Sequence, residues 1–289
     1  MINPCSKIRT ECDQTSCRHA QCDALFSEIL NNDAIDWQVR LPDAIEMPAS
    51  VEQFVAGFDL SRELWHDGLD RERLVSIAGT LFRDYRIDEG DSLAFKHARA
   101  RFKHLRFVYA AFGDRHRYPI LLDVLTSVMG NLQDAFKNNK HPSIRRNAIL
   151  MRLLLNASLV KLMIAETGMF RPTTPEKFRD YMKGQAIKVA QFLQKKAITA
   201  QEFHDTRKII SLYRASFATL VTLEPSAHHV VVASYIATIN GLMGNFHDGL
   251  MAGKLNGTLN YTSDTFPLPD EMRVRLHQLV STMADSATG

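Results

Sequence analysis

Three observations predict an all-α fold for this 289-residue chain. Apolar residues recur at helical spacing through most of 50–289, and no strand alternation of useful length interrupts them. Helix breakers are scarce, with 14 Gly and 10 Pro in a chain that is 45% hydrophobic. An octapeptide also recurs: "MGNLQDAF" at 129–136 and "MGNFHDGL" at 243–250 share Met-Gly-Asn, an apolar fourth residue and an Asp. The length suits one large domain or two small ones.

Taken in order, residues 1–23 read as a tail that holds all four cysteines, Cys5, Cys12, Cys17 and Cys22. Their spacing matches no CxxC pattern, so free thiols are expected, with a metal or cluster site involving His19 as the alternative. The opening "MINPCSKIRTECDQ" lacks the apolar stretch of a secretory signal, and the body has no cysteine. A reducing, cytoplasmic setting is therefore expected. "IDWQVRLPDAIEMPAS" (35–50) reads as a linker, with a short strand as an option at Trp37–Leu41. Helices follow near 50–57, 60–67, 71–86, 92–112, 117–138, 143–167, 174–197, 199–222, 226–252 and 268–284. Start signals support several of them: Asp91-Ser92, Pro142-Ser143, Thr174-Pro175-Glu176 and Pro269-Asp270-Glu271. The expected division is a tail and linker (1–48) and one helical domain (49–289). The most apolar run, "AILMRLLLNASLVKLMIA", contains Arg152, Asn156 and Lys161, and so does not read as a membrane span.

The formal net charge of +3 conceals two opposed parts. Residues 24–94 carry 6 Lys+Arg against 15 Asp+Glu, whereas 95–289 carry 26 against 14. Such asymmetry suggests that the basic part meets an anion, or that two faces satisfy each other.

The octapeptides do not recur alone. At an offset of 108, "FKHARARFKHLRFVYAAF" (95–112) aligns with "FHDTRKIISLYRASFATL" (203–220). Phe95 then meets Phe203, Arg99 meets Arg207, Arg106 meets Arg214 and Tyr109 meets Phe217. Two ordered matches predict an internal repeat, one copy at about 50–140 and the other at about 143–260. Each long helix carries a cationic row. Lys96, Arg99, Lys103 and Arg106 stand at i, i+3, i+7 and i+10, within about 80° of one face and spanning about 15 Å. His204, Arg207, Ser211 and Arg214 take the same arc in the second copy. Like charges stacked at this spacing are mildly unfavourable, by about 0.3 kcal/mol per pair. A ligand with repeating anionic groups explains the row; a solvated face is the alternative. Arg145 and Arg152 share a second face, and Lys188 lies on a third with Lys177 and Lys195.

A helix of the form His-x-x-Arg-x-x-x-(Lys/Arg)-x-x-Arg, followed one helix later by Leu-Gly-x-x-x-Asp and given twice, resembles the CHAD family (conserved histidine α-helical domain). "HDTRKIISLYR" with "MGNFHD" carries the resemblance in the second copy, and "KHARARFKHLR" with "MGNLQD" in the first. This chain departs from the pattern at Lys96, at Ser211 and at the Met before each Gly. The resemblance covers about 50–260. It implies two four-helix bundle units about a pseudo-twofold axis, with a basic groove that binds inorganic polyphosphate. By position, Lys96, Arg99, Lys103, Arg106, His204, Arg207 and Arg214 would face that ligand.

Other chemistry is weaker. His66-Asp67, His204-Asp205 and His247-Asp248 raise an HD-type metal phosphohydrolase. Yet adjacent helical residues diverge by about 100°. No GxxxxGK[ST] loop occurs, and no nucleophile has a nearby partner base. Few aromatic residues accompany the cationic row, which disfavours single-stranded nucleic acid. The reading is therefore non-catalytic binding of a polyanion, with no cofactor or metal. The alternatives are a protein-interaction scaffold and a nucleic-acid binder. The candidate ligand set is completed by Arg145, Arg152 and Lys188.

Overall fold

The computed structural model describes residues 18–285. Its helices are α1 (18–30), α2 (Val51–Asp67), α3 (Arg71–Asp84), α4 (Glu89–Phe112), α5 (Ile120–Lys137) and α6 (His141–Leu154). They continue with α7 (Ala157–Gly168), α8 (Pro175–Leu193), α9 (Ala200–Leu223), α10 (Ala227–Asn256) and α11 (Asp270–Asp285). The all-α class holds. Among the described residues the small exceptions are a two-stranded ribbon, in which β1 (Ile198–Thr199) pairs antiparallel with β2 (Thr265–Phe266), and a single bridge between Gly113 and Pro172.

Helix starts follow local chemistry. Ser50 and Thr199 each close a reciprocal capping box, with Gln53 and with Glu202, at the N-termini of α2 and α9. Thr174 caps α8 ahead of Pro175, as expected. The α4 start lies earlier than expected, because Asp88 accepts from Asp91 N at 2.7 Å. Residues 51–67 form one helix rather than two. The 143–167 stretch divides instead, where Asn156 accepts from Ser158 N and caps α7; the axes of α6 and α7 differ by 70°.

The core runs through both halves of the chain. Phe54, Phe112 and Phe178 pack together from α2, α4 and α8, and Phe203, Phe246 and Phe266 do so from α9, α10 and β2. In the first half α4 packs on α2 and α5, and α6 on α3 and α5. In the second, α9 packs on α8 and α10, and α11 on α8 and α10. The long helices α4 and α9 cross each other between the halves.

The expected tail is the main correction. Residues 18–30 are helical, and Cys22, Leu25 and Ile29 pack against Leu60, Leu64 and Ala218. Their i, i+3, i+7 spacing is an apolar stripe too narrow to stand out among charged neighbours. The linker is also part of the fold: Leu41 and Ile45 lie in the main core. No strand forms at Trp37–Leu41, because side chains rather than a neighbouring strand take up this backbone. Arg275 donates to Trp37 O and Val39 O, and Thr238 Oγ1 accepts from Asp36 N. Cys5, Cys12 and Cys17 lie outside the described residues. The Cys22 thiol is buried in α1, and burial pushes its pKa up to about 11, reinforced by the Glu63 and Asp67 carboxylates.

Candidate functional site

Side chains from α4, α5, α9 and α10 line a groove of about 380 Å³, joined by Asn32 and Asp33 just after α1. The cationic row of α4 reaches it because the opposite arc is committed to the core, where Phe95, Phe102 and Leu105 are at most 1% exposed. On α9, Ile210, Tyr213 and Phe217 are fully buried in the same way, and the Tyr213 hydroxyl is anchored on Met182 O. His204, Arg207, Lys208 and Ser211 are thereby turned to the groove. Seven cationic side chains line it: Lys96, Arg99, Lys103, Arg106, Lys137, Arg207 and Lys208. Three carboxylates, Asp33, Asp134 and Asp248, do so too.

Arg99 and Arg207 occupy corresponding places. A methyl group on Gly130 would lie 2.9 Å from Arg99 Nη2, and one on Gly244 would lie 3.3 Å from Arg207 Nη2. Each glycine of the octapeptides therefore admits the arginine of the preceding long helix, by presenting no Cβ. The Nε of both arginines is buried, with no hydrogen-bond partner among the described residues. Burial lowers the pKa of Arg99; Asp134 opposes this, and Arg106 and Arg207 add to it. Arg207 is lowered by burial against the pull of Asp248, Asp134 and Asp33. Burial, Arg207, Arg99 and Arg106 together push the Lys103 ammonium well below its usual range. The cations are thus crowded, under-neutralised and partly stripped of water.

One corner holds a histidine pair. His204 Nδ1 lies 3.1 Å from His247 Nε2, which is also 3.2 Å from the Tyr261 hydroxyl. Burial, then Lys208 and His247, lower the His204 pKa to about 4, so it is neutral at pH 7. His104, one residue beyond Lys103, is a core histidine. Ser61 and Thr219 each donate to a carbonyl one turn back, so their oxygens accept from His104 Nε2–H. Burial lowers its pKa to about 3.

The groove brings together Lys96, Arg99, Lys103, Arg106, His204 and Arg207 from the expected set. Arg106 is partly engaged, donating to Asp123 at 2.8 Å with its guanidinium over Phe107 and Tyr118. Arg214 does not line the groove. Its side chain is 5% exposed and donates to Glu28 Oε2 and Glu28 O of α1, beside a cavity of about 40 Å³ that adjoins the groove at Lys103 and Ser211. Arg145 stands over Phe82 and Tyr85 from α6, Arg152 is exposed on α6, and Lys188 is exposed on α8. None of these three lines the groove, because a shared helix face does not fix which neighbour that face meets. Lys137 and Lys208 enter without having been singled out, and His247, named only within a His-Asp pair as a metal-ligand candidate, enters as well. Their signal was adjacency, to the first octapeptide, to Arg207 and within the second octapeptide respectively.

The three His-Asp pairs do not converge. His204 and His247 meet, whereas His66 and Asp67 form an exposed pair elsewhere. Among the described residues no three His, Cys, Asp or Glu side chains are grouped as a metal would require. In comparisons with known proteins, no family model matches the chain, no curated protein matches its sequence and no solved structure matches its fold.

Proposed function

We propose that this protein binds a phosphate-rich polyanion, inorganic polyphosphate above all, in the groove between α4, α5, α9 and α10, without catalysis. The observation that carries the reading is the state of Arg99 and Arg207: half-buried, with Nε buried and lacking a partner, and facing one groove with five further cations. Unpaired buried charge is costly unless something compensates it. An anion would supply the missing acceptors, and charge-assisted hydrogen bonds to guanidinium are among the strong ones.

The packing pattern supports the internal repeat on which the reading rests. α4 and α5 pack on each other, and α4 on α2, as α9 and α10 pack on each other and α9 on α8. α6 packs on α3 and α5, so it goes with the first half, against the expectation that it opens the second copy at 143. The arginine–glycine contact at Gly130 and Gly244 occurs in both. The resemblance to the CHAD family, drawn from the same residues, points the same way.

The test is titration with tripolyphosphate, long-chain polyphosphate, RNA and duplex DNA at matched phosphate concentration and varied salt. Polyphosphate should bind tightest at low salt, and Arg99→Ala with Lys103→Ala should flatten the dependence of log affinity on log salt by about 0.7 per lost contact. Unchanged affinity and slope in that variant would refute the site. Tighter RNA or DNA binding through the same residues would replace the ligand but keep the groove.

A further inference from the structure

From Ala135 to Ala165 the chain has no acidic residue and six Lys and Arg. This stretch includes all of α6 and most of α7, and it contains the most apolar run of the sequence. Burial does not consume that apolarity. The inner faces of α6 and α7 pack through Ile144, Ala148, Met151, Val160 and Met163, all at most 7% exposed. The outer faces expose Ile149 at 46%, Leu150 at 40%, Leu153 at 60% and Leu162 at 56%.

The arrangement on α6 is ordered. Arg145, Ile149 and Leu153 stand at i, i+4 and i+8, and Arg146 with Leu150 forms a second row beside them. Arg152 flanks the first row on its other side, and Lys161 lies on the exposed face of α7. Ile120 at 73% exposed and Met169 at 69% extend the apolar surface beside α7, and they share a cavity with Arg115, Arg117 and Arg171. Glu166, the first acid after the run, is turned to the N-terminus of α5, where it accepts from Leu121 N at 3.0 Å.

We infer that the outer faces of α6 and α7 dock on an anionic lipid surface, lying on it rather than crossing it. Charge complementarity selects this occupant. Apolar side chains flanked by cations, with no carboxylate on α6 or on α7 before Glu166 and only Asp114 and Glu166 in the adjoining cavity, suit the boundary between acyl chains and anionic headgroups. A protein partner or a second copy would meet the same cations and need a strongly acidic face opposite them. The acid-rich part of this chain, 24–94, exposes carboxylates such as Glu52, Asp59, Glu72 and Asp84, but Arg62, Arg71, Arg73 and Arg83 lie among them in sequence. Neither helix alone is long and apolar enough to span a membrane; α6 and α7 reach a span's length and composition only when taken together across their 70° bend.

Vesicle co-sedimentation tests this, using phosphatidylcholine vesicles with and without phosphatidylserine. The full chain should sediment with the anionic vesicles and stay in solution with the neutral ones. Leu153→Gln with Leu162→Gln, both exposed positions, should weaken association at least tenfold while leaving the melting temperature unchanged. Arg146→Gln with Arg152→Gln should do the same, and Arg99→Met in the groove should not. The inference is overturned if the wild type ignores anionic vesicles. It is equally overturned if only the groove variant loses them, or if the leucine pair instead converts a dimer to a monomer with no effect on vesicles.

Discussion

Replacing Arg99 with Met should make the free protein more stable and the liganded protein less so. In the free protein Arg99 Nε is buried without a partner, a state that costs about 1–3 kcal/mol. Repulsion from Arg106 and Arg207 adds a few tenths. Against this stands attraction to Asp134 and to Asp248, whose side chain is 75% exposed; a pull through that much solvent is worth about 1 kcal/mol at most. Met keeps most of the aliphatic packing, so the net gain is about 1 kcal/mol, or about 2 °C in melting temperature for a chain of this length. With tripolyphosphate at about 100 times its Kd, the wild type gains about 2.7 kcal/mol more. The variant, without that guanidinium, should bind about 100-fold more weakly and gain only about 0.4 kcal/mol at the same concentration. Thermal melts with and without ligand should therefore cross: the variant is ahead alone and behind with ligand. A variant that melts lower than the wild type without ligand, or that shifts as far with it, would refute the reasoning.

Gly130→Ala should weaken polyanion binding more than Gly244→Ala, since the added methyl lies 2.9 Å from Arg99 Nη2 in the first case and 3.3 Å from Arg207 Nη2 in the second. Helix propensity improves by about 1 kcal/mol in both, so calorimetric titration rather than melting is the discriminating measurement. His204 has a pKa of about 4 in the free groove, and a bound anion raises it, so the complex holds more protons than the free protein. Affinity should accordingly rise as pH falls from about 6.5 toward 4, with proton uptake seen in buffers of different ionisation enthalpy, and His204→Gln should abolish the uptake. In the free protein the same depression makes stability fall across that window, because the unfolded chain takes up the proton first. Glu28→Gln should destabilise by about 2 kcal/mol, measured by urea unfolding, because it leaves the Arg214 guanidinium buried against a neutral amide. A loss under 0.5 kcal/mol would mean that this pair contributes nothing.

Much of this was legible in the residues, for identifiable reasons. Long helices with strong 3.6-residue periodicity announced themselves, and Thr174-Pro175 and the Thr199 box fixed where α8 and α9 begin. The cationic rows could be read because a helix face is set by spacing alone, and so Lys96, Arg99, Lys103 and Arg207 were found together. Which face meets which neighbour is a tertiary fact. Arg214 matched the row in spacing, but α1 reaches it first with Glu28. Arg145, Arg152 and Lys188 had the right charge on helices that point elsewhere. α1 was misread because its apolar stripe is narrow, and residues 32–48 because their backbone is satisfied by partners as much as 238 positions away, as in Arg275 Nη2 to Trp37 O. No local pattern encodes such partners.

The docking of α1 also orders events in time. Besides the Arg18–Glu63 ion pair with α2, Glu28 of α1 ties to Arg214 on α9, and Asn32 just after it to Asn240 on α10, at sequence separations of 186 and 208. During synthesis at about 5–20 residues per second, α1 emerges roughly 10–40 s before the helices that receive it. Through that interval Leu25 and Ile29 have no Ala218 to cover them, and Asn32 and Asp33 have no groove to border. α1, made well before α9 and α10, is therefore fully placed only after them, and the groove acquires its full wall only once α10 has been made.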